Sequence, residues 1–279
     1  MTVLGTNTAR HDVVLPGGAD TVLSLRWGIA TDIGHKRAHN EDSLIAIPPV
    51  FAVADGMGGH AAGDVASDAV VKRLAELAPA DPGAQHPEFT TPEDVLEALR
   101  LATSDIAGAV DAPEVGAGTT VTGAALTLHE GIAYWAMFNV GDSRLYLFER
   151  NVLTQVSIDH SVVQEMVTAG LITAADAEHH PDSNIITRAV GFNAEPAPDF
   201  WIVPVEPGTR LLLCSDGLSR EVDDLRIRLH LAAKLTPEHT AQALVDAALA
   251  SGGRDNVTAV VVDILDRGAP RQPKARLAG

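Results

Sequence analysis

The sequence predicts a single α+β domain, and three observations carry that expectation. Short apolar runs of strand character cluster in the middle of the chain, joined by turns too brief for parallel crossovers. Helical periodicity appears in separate pairs around them. No repeat and no break in composition divides the 279 residues, so one large domain accounts for the length. Hydrophobic residues form 46% of the chain, enough for a real core; aromatics form only 4%, so Val, Leu, Ala and Ile must do the packing.

Taken in order, residues 1–22 show no sustained periodicity and contain Pro16-Gly17-Gly18, which reads as a flexible lead-in. Leu23 to Ala30 is the first expected strand. Ser43–Ile47 and Val50–Ala54 flank Pro48-Pro49 and read as a hairpin. Val65, Ala69, Val70, Leu74 and Leu77 recur at helical spacing, predicting a helix over 63–77. A polar loop with Pro79, Pro82 and Pro87 follows. Thr91-Pro92-Glu93-Asp94 supplies an N-cap, a proline at the first position and acids facing the dipole, so a helix is expected to about Val110.

Residues 119–128, 131–140, 143–149 and 152–157 are strand patterns with short turns and read as an antiparallel meander. Residues 161–169 are expected to be helical and 173–180 a short helix or turn; 199–204 and 209–214 read as strands, 238–250 as a helix and 256–265 as a closing strand. Residues 266–279 carry two prolines and four basic side chains and read as a disordered basic tail. The expected domain is therefore 23–265.

A formal charge of −17 argues against nucleic-acid binding, which needs a basic surface, and against an anionic membrane. No run is long and apolar enough to cross a membrane, and the polar start, with Arg10, His11 and Asp12, is unlike a signal peptide. A cytoplasmic setting is expected. The single cysteine, Cys214, ends Leu211-Leu212-Leu213 and reads as a buried strand thiol.

The chemistry is concentrated in four aspartates beside Gly, Ser or Asn: Asp55 in Ala54-Asp55-Gly56-Met57-Gly58-Gly59, Asp142 in Gly141-Asp142-Ser143-Arg144, Asp216 in Ser215-Asp216-Gly217, and Asp255 before Asn256. Alone, each has an ordinary reading: an Asx turn for Asp55, a hairpin turn for Asp142, a helix N-cap for Asp216, an Asp-Asn turn for Asp255. Together they suggest an all-oxygen site for hard divalent cations. Two bare carboxylates at about 4 Å repel by roughly 4 kcal/mol at an effective dielectric of 20, so such a cluster must bind ions or protonate. Arg37 has the planar fork to grip a phosphate, or it forms a surface ion pair, with Glu41 for example. Glu41 and Asp42 add two nearby acids.

These motifs, with Arg37…Asn40-Glu41-Asp42 and Gly116…Gly118-Thr119-Thr120, resemble the metal-dependent protein phosphatases, or type 2C serine/threonine phosphatases, in their bacterial form. The likeness covers about residues 25–265, and the six motifs in this order are specific. It implies a four-layer αββα sandwich of two antiparallel sheets flanked by helices. It further implies two core Mn²⁺ or Mg²⁺ ions held by Asp55, the Gly56 carbonyl, Asp216 and Asp255, with a third shared by Asp142 and Asp216. Arg37 would bind phosphate, and Asp42 and Glu41 would hold water in an outer shell.

The activity implied is hydrolysis of phosphoserine and phosphothreonine on proteins by a hydroxide bridging two ions, opposing a bacterial Ser/Thr kinase, in a monomer. The alternative is a catalytically weak, phosphoprotein-binding member of the same fold. Met57 stands where eukaryotic members carry a histidine discussed as the leaving-group acid; His60 does not simply substitute, His39 is a weak candidate, and water on the ions is the expected donor. His179 and His180 read as solvent-exposed. Residues 159–188 resemble the flap of bacterial members.

Overall fold

The computed structural model describes residues 1–15, 22–58, 62–78, 88–109, 116–177, 180–192 and 195–265. The expectations for Pro16-Gly17-Gly18, the 79–87 loop, Gly59, His60, His179 and the 266–279 tail lie outside them.

Two sheets stack face to face. Strands β1 (Val3–Gly5), β4 (Asp42–Ile47), β5 (Val50–Met57), β7 (Val121–His129), β8 (Ile132–Val140) and β11 (Asp199–Pro204) form the first, in that order, with β6 (Gly118–Thr119) paired to the end of β5. The second runs β10 (Val152–Gln155), β9 (Arg144–Glu149), β12 (Arg210–Cys214), β13 (Val257–Ile264), β3 (Val22–Asp32), β2 (Thr8–Val14). Helices α1 (Ala62–Ala75) and α2 (Pro92–Ala109) cover the first sheet, sharing one apolar cluster with it. Helices α5 (Asp216–Ser219), α6 (Asp224–Ala232) and α7 (Pro237–Ser251) cover the second. Helices α3 (Val162–Thr168) and α4 (Ala174–Ala177) stand apart from both clusters. The layers are those the resemblance implied.

Strand periodicity explains the stacking. On β13, Val260, Val262 and Ile264 face the space between the sheets, while Val257, Ala259 and Val261 face the α7 side. On β12, Leu211 and Leu213 point inward and Leu212 and Cys214 outward. Cys214 is fully buried, as expected, and burial pushes its thiol up to about 12. α2 opens with a reciprocal cap: Asp94 N–H donates to Thr91 Oγ1 and Thr91 N–H to Asp94 Oδ2, both at 3.1 Å.

Several expectations need correction. Residues 1–14 are not an unstructured lead-in. β1 lies parallel to β4, and β2 is the antiparallel edge of the second sheet, so one short segment contacts both sheets. β1 is only three residues long, and the polar, mostly exposed pattern of β2 hides its periodicity. The first sheet is consequently not wholly antiparallel. Nor is the middle of the chain one meander. β7–β8 and β9–β10 are hairpins closed by positive-φ pairs, Glu130-Gly131 and Arg150-Asn151, but they belong to different sheets. Gly141-Asp142-Ser143 carries the chain from one sheet to the other, so Asp142 is not in a hairpin turn. Helix α6, which the sequence reading left out, fills the outer face beside α7 with Ile227 and Leu231. No described helix is long and apolar enough to cross a membrane.

Candidate metal centre

The acids collect at one end of the sandwich because four strand ends meet there. Asp55 is near the end of β5, Asp216 opens α5 directly after β12, Asp255 precedes β13, and Asp42 starts β4. Asp142 sits in the sheet-to-sheet crossover between β8 and β9.

Glycines allow the approach. A Cβ on Gly217 would lie 2.0 Å from the Asn256 carbonyl, so only glycine lets α5 press against the Asp255 segment. A Cβ on Gly56 would lie 2.1 Å from the Gly63 carbonyl, which closes the end of β5 onto the start of α1. Asp55 is pinned through its backbone. Its carbonyl accepts from Thr120 N–H and Thr119 Oγ1, both at 2.9 Å. Asn256 knots the other side: its Oδ1 accepts from Glu41 N–H at 2.8 Å, and its Nδ2 donates to the carbonyls of Ile33 and His39 at 2.9 and 3.0 Å.

Asp55 and Asp216 lie close enough for the charge of one to act on the other, and Asp255 lies beside Gly217. Burial holds Asp55 well above the ordinary carboxylate range, and the charges of Asp42, Asp216 and Asp142 add to it. Burial raises Asp216 too, with Arg220 opposing. Asp42 and Asp142 are each pushed up to about 7, mainly by burial; nearby acids add to both, led by Asp216. Glu41, only partly buried, is raised chiefly by desolvation. This is the electrostatic state of carboxylates gathered for a cation.

Two guanidinium groups enter the cluster. Arg37 Nη2 donates to Asp255 Oδ2 at 2.7 Å, so its ion-pair partner is Asp255 rather than Glu41. Its side chain remains 52% exposed. Arg220 Nη2 lies 2.9 Å from both Asp142 Oδ2 and Asp216 Oδ2. With these oxygens engaged, no three acidic, imidazole or thiol groups among the described residues stand arranged around one point. Asp216 Oδ1 and Asp42 Oδ1, however, are buried without any hydrogen-bond partner. Orphaned carboxylate oxygens in an all-oxygen cluster fit hard divalent ions at Asp55, Asp216 and Asp255. Between Asp142 and Asp216, one oxygen of each carboxylate is already taken by Arg220.

Asp42 reaches across the sandwich: its Oδ2 accepts from Ser215 Oγ at 2.8 Å and Thr258 Oγ1 at 2.6 Å. All eight expected site residues thus lie at this end. His39 is exposed there, and its backbone carbonyl serves Asn256. His180 is partly buried rather than exposed, its Nδ1 accepting from Asp182 N–H at 3.2 Å.

The sequence reading missed Arg220, Ser215 and Thr258 as contacts, and His160. The Asp216/Arg220 spacing of four was the available signal for Arg220. His160 is buried and tethers the 159–188 segment to the crossover. Its N–H donates to the Gly141 carbonyl at 2.9 Å, and its Nδ1 accepts from Gly141 N–H at 3.2 Å. A cavity of about 540 Å³ opens at the opposite end of the second sheet, lined by Arg26, Arg210, Lys234 and Asp263 among others. It contains none of the acidic cluster.

A family profile described as protein phosphatase 2C matches residues 35–265. The serine/threonine protein phosphatase PstP of Mycobacterium tuberculosis is 41% identical over 253 residues, covering 89% of this chain and 46% of the relative. The chain therefore spans about half the length of that protein. The serine/threonine phosphatase stp of Listeria monocytogenes is 35% identical over 244 residues, 84% of this chain and 93% of the relative. A crystal structure of the PstP catalytic domain in complex with two manganese ions superposes with a TM-score of 0.76 at 39% identity, covering 88% of this chain and all of that one.

Proposed function

The chain belongs to the protein phosphatase 2C family, and from that premise we propose that it hydrolyses phosphoserine and phosphothreonine on proteins with Mn²⁺ or Mg²⁺ at the acidic end of the sandwich. The carrying observation is the gathering of Asp55, Asp216 and Asp255 at one end of the sandwich with buried carboxylate oxygens of Asp216 and Asp42 left without a partner; burial and neighbouring charge hold Asp55 and Asp216 above their usual range. The manganese bound by the similar PstP domain supports the choice of ion.

On this reading Asp55, the Gly56 carbonyl, Asp216 and Asp255 hold the ions. Divalent ions bound there supply the positive field that admits an anionic phosphoester and lower the pKa of a water used as nucleophile. The protein's own residues do the positioning. Arg37, half-exposed beside Asp255, grips phosphate oxygens through its planar fork. Asp42 fixes the junction of the sheets under the acids, and Asn256 sets the distance between the Glu41 strand and the Asp255 turn. Met57 offers no proton, so the leaving-group proton comes from solvent in the site.

The wider setting we infer is a cytoplasmic, monomeric enzyme acting on phosphorylated proteins, a Ser/Thr kinase among them. The test is hydrolysis of para-nitrophenyl phosphate and of a phosphothreonine peptide by the chain with Mn²⁺, with chelator, and in Asp55→Asn and Asp216→Asn. Activity on both substrates, lost with chelator and in both variants, is expected. Turnover that survives chelation overturns the reading.

A further inference from the structure

We propose that Arg220 is a tethered cation that takes the place of an additional divalent ion between Asp142 and Asp216, so that this chain carries only the ions held around Asp55, Asp216 and Asp255. This rests on the metal-dependent reading above.

The geometry is specific. Arg220 caps α5, its N–H donating to the Asp216 carbonyl at 2.9 Å. One helical turn therefore separates it from Asp216 and lays its side chain over that carboxylate. Asp142 arrives at the same point from the crossover between the sheets. A single nitrogen, Nη2, lies 2.9 Å from an oxygen of each acid. Both acids are buried, at 8% exposure, while the Arg220 side chain comes in from the surface, 39% exposed.

An ion using these two oxygens would need the space and the charge position that the guanidinium holds, and two positive centres within 3 Å repel strongly in a buried setting. Among the described residues, the two other arginines near the acids are engaged elsewhere. Arg144, next to the crossover, is committed to Asp159 at 2.8 to 3.1 Å, and Arg37 is committed to Asp255. A guanidinium is always charged and cannot be washed out by a chelator. One of the two negative charges of the Asp142–Asp216 pair is thus balanced by the polypeptide itself, at every ion concentration.

The experiment titrates the chelator-stripped 279-residue chain with Mn²⁺ by calorimetry, in the wild type, Arg220→Gln, Arg220→Lys and Asp142→Asn. Circular dichroism checks that each is folded. The wild type, Arg220→Lys and Asp142→Asn are expected to take up the same number of ions. Arg220→Gln is expected to gain one equivalent, and Asp142→Asn added to Arg220→Gln to remove it again.

Loss of one equivalent in Asp142→Asn alone shows an ion already bound there and overturns the inference. So does a folded Arg220→Gln with unchanged stoichiometry. If Arg220→Gln does not fold, Asp142→Asn in the wild-type background decides the matter by itself. A wild-type chain that takes up no Mn²⁺ at all removes the proposed function, and this inference with it. That result is distinct from an extra equivalent, which removes only this one.

Discussion

Asp42 and Asp55 are paired in register across β4 and β5, yet the Asp42 side chain binds the other sheet, through Ser215 and Thr258. The link fastens the two sheets together at the end where the acids gather. Asp42→Ala leaves two buried hydroxyl groups without their acceptor. The expected cost is about 1–3 kcal/mol, read as a lower urea midpoint at unchanged slope. An unchanged midpoint contradicts this role.

The acid cluster sets an unusual dependence of stability on pH. Asp42 and Asp142 titrate at about 7 in the fold, and Asp55 and Asp216 are raised as well. Unfolded aspartates titrate near about 3.9. Between those values the folded chain holds protons that the unfolded chain has released, so stability falls as pH rises. The penalty is absent below the unfolded value and complete above the folded one. In chelator, the melting temperature is expected to be higher at pH 5 than at pH 8, and saturating Mn²⁺ to shrink the difference. Calorimetric scans at both pH values, with and without Mn²⁺, test this; a melting temperature in chelator that climbs from pH 5 to pH 8 rules it out.

Arg37 divides its charge between Asp255 and the open mouth of the site. Charge-assisted hydrogen bonds contribute about 1.5–3 kcal/mol, so Arg37→Ala is expected to raise KM for para-nitrophenyl phosphate by roughly 10- to 100-fold, with a smaller fall in kcat. Lysine cannot reproduce the planar fork and should restore only part of the loss. Equal KM values for wild type and Arg37→Ala would remove Arg37 from phosphate binding.

Gly217 is tested most directly by alanine. The added methyl collides with the Asn256 carbonyl, which is backbone and cannot rotate away. α5 must then move off the Asp255 segment, separating Asp216 from Asp255. A stability loss of about 1–3 kcal/mol is expected, with weaker Mn²⁺ uptake measured calorimetrically. Gly131→Ala is the control: nothing lies within 4 Å of its Cβ direction, so although its φ of 80° brings some strain, Mn²⁺ uptake is expected to stay intact.

Much of this was legible in the sequence for local reasons. β13 announces itself because both of its faces are apolar, and α2 because its cap residues are consecutive. The site acids were legible because each sits beside Gly, Ser or Asn at a strand end. What escaped detection depends on partners far away in the chain. β1, three residues long, and β2, polar and mostly exposed, are edge strands whose pairing comes from β4 and β3, not from their own pattern. The Gly141-Asp142-Ser143 turn looks like any hairpin until the neighbours of β8 and β9 are known. Arg220 carries no motif, and only the three-dimensional meeting of Asp142 and Asp216 gives its charge a purpose.

The pairing of β3 with β13 joins residues 22–32 to residues 257–264, with Asp32 opposite Val257. Contacts so distant along the chain are slow to form, since a very long loop must close first. Asp255, two residues ahead of β13, can therefore reach its place only after the chain has been made through β13. A chain made only as far as β9 has Asp42, Asp55 and Asp142 but lacks the strand that completes their pocket, so the acidic cluster closes in one late step rather than growing residue by residue.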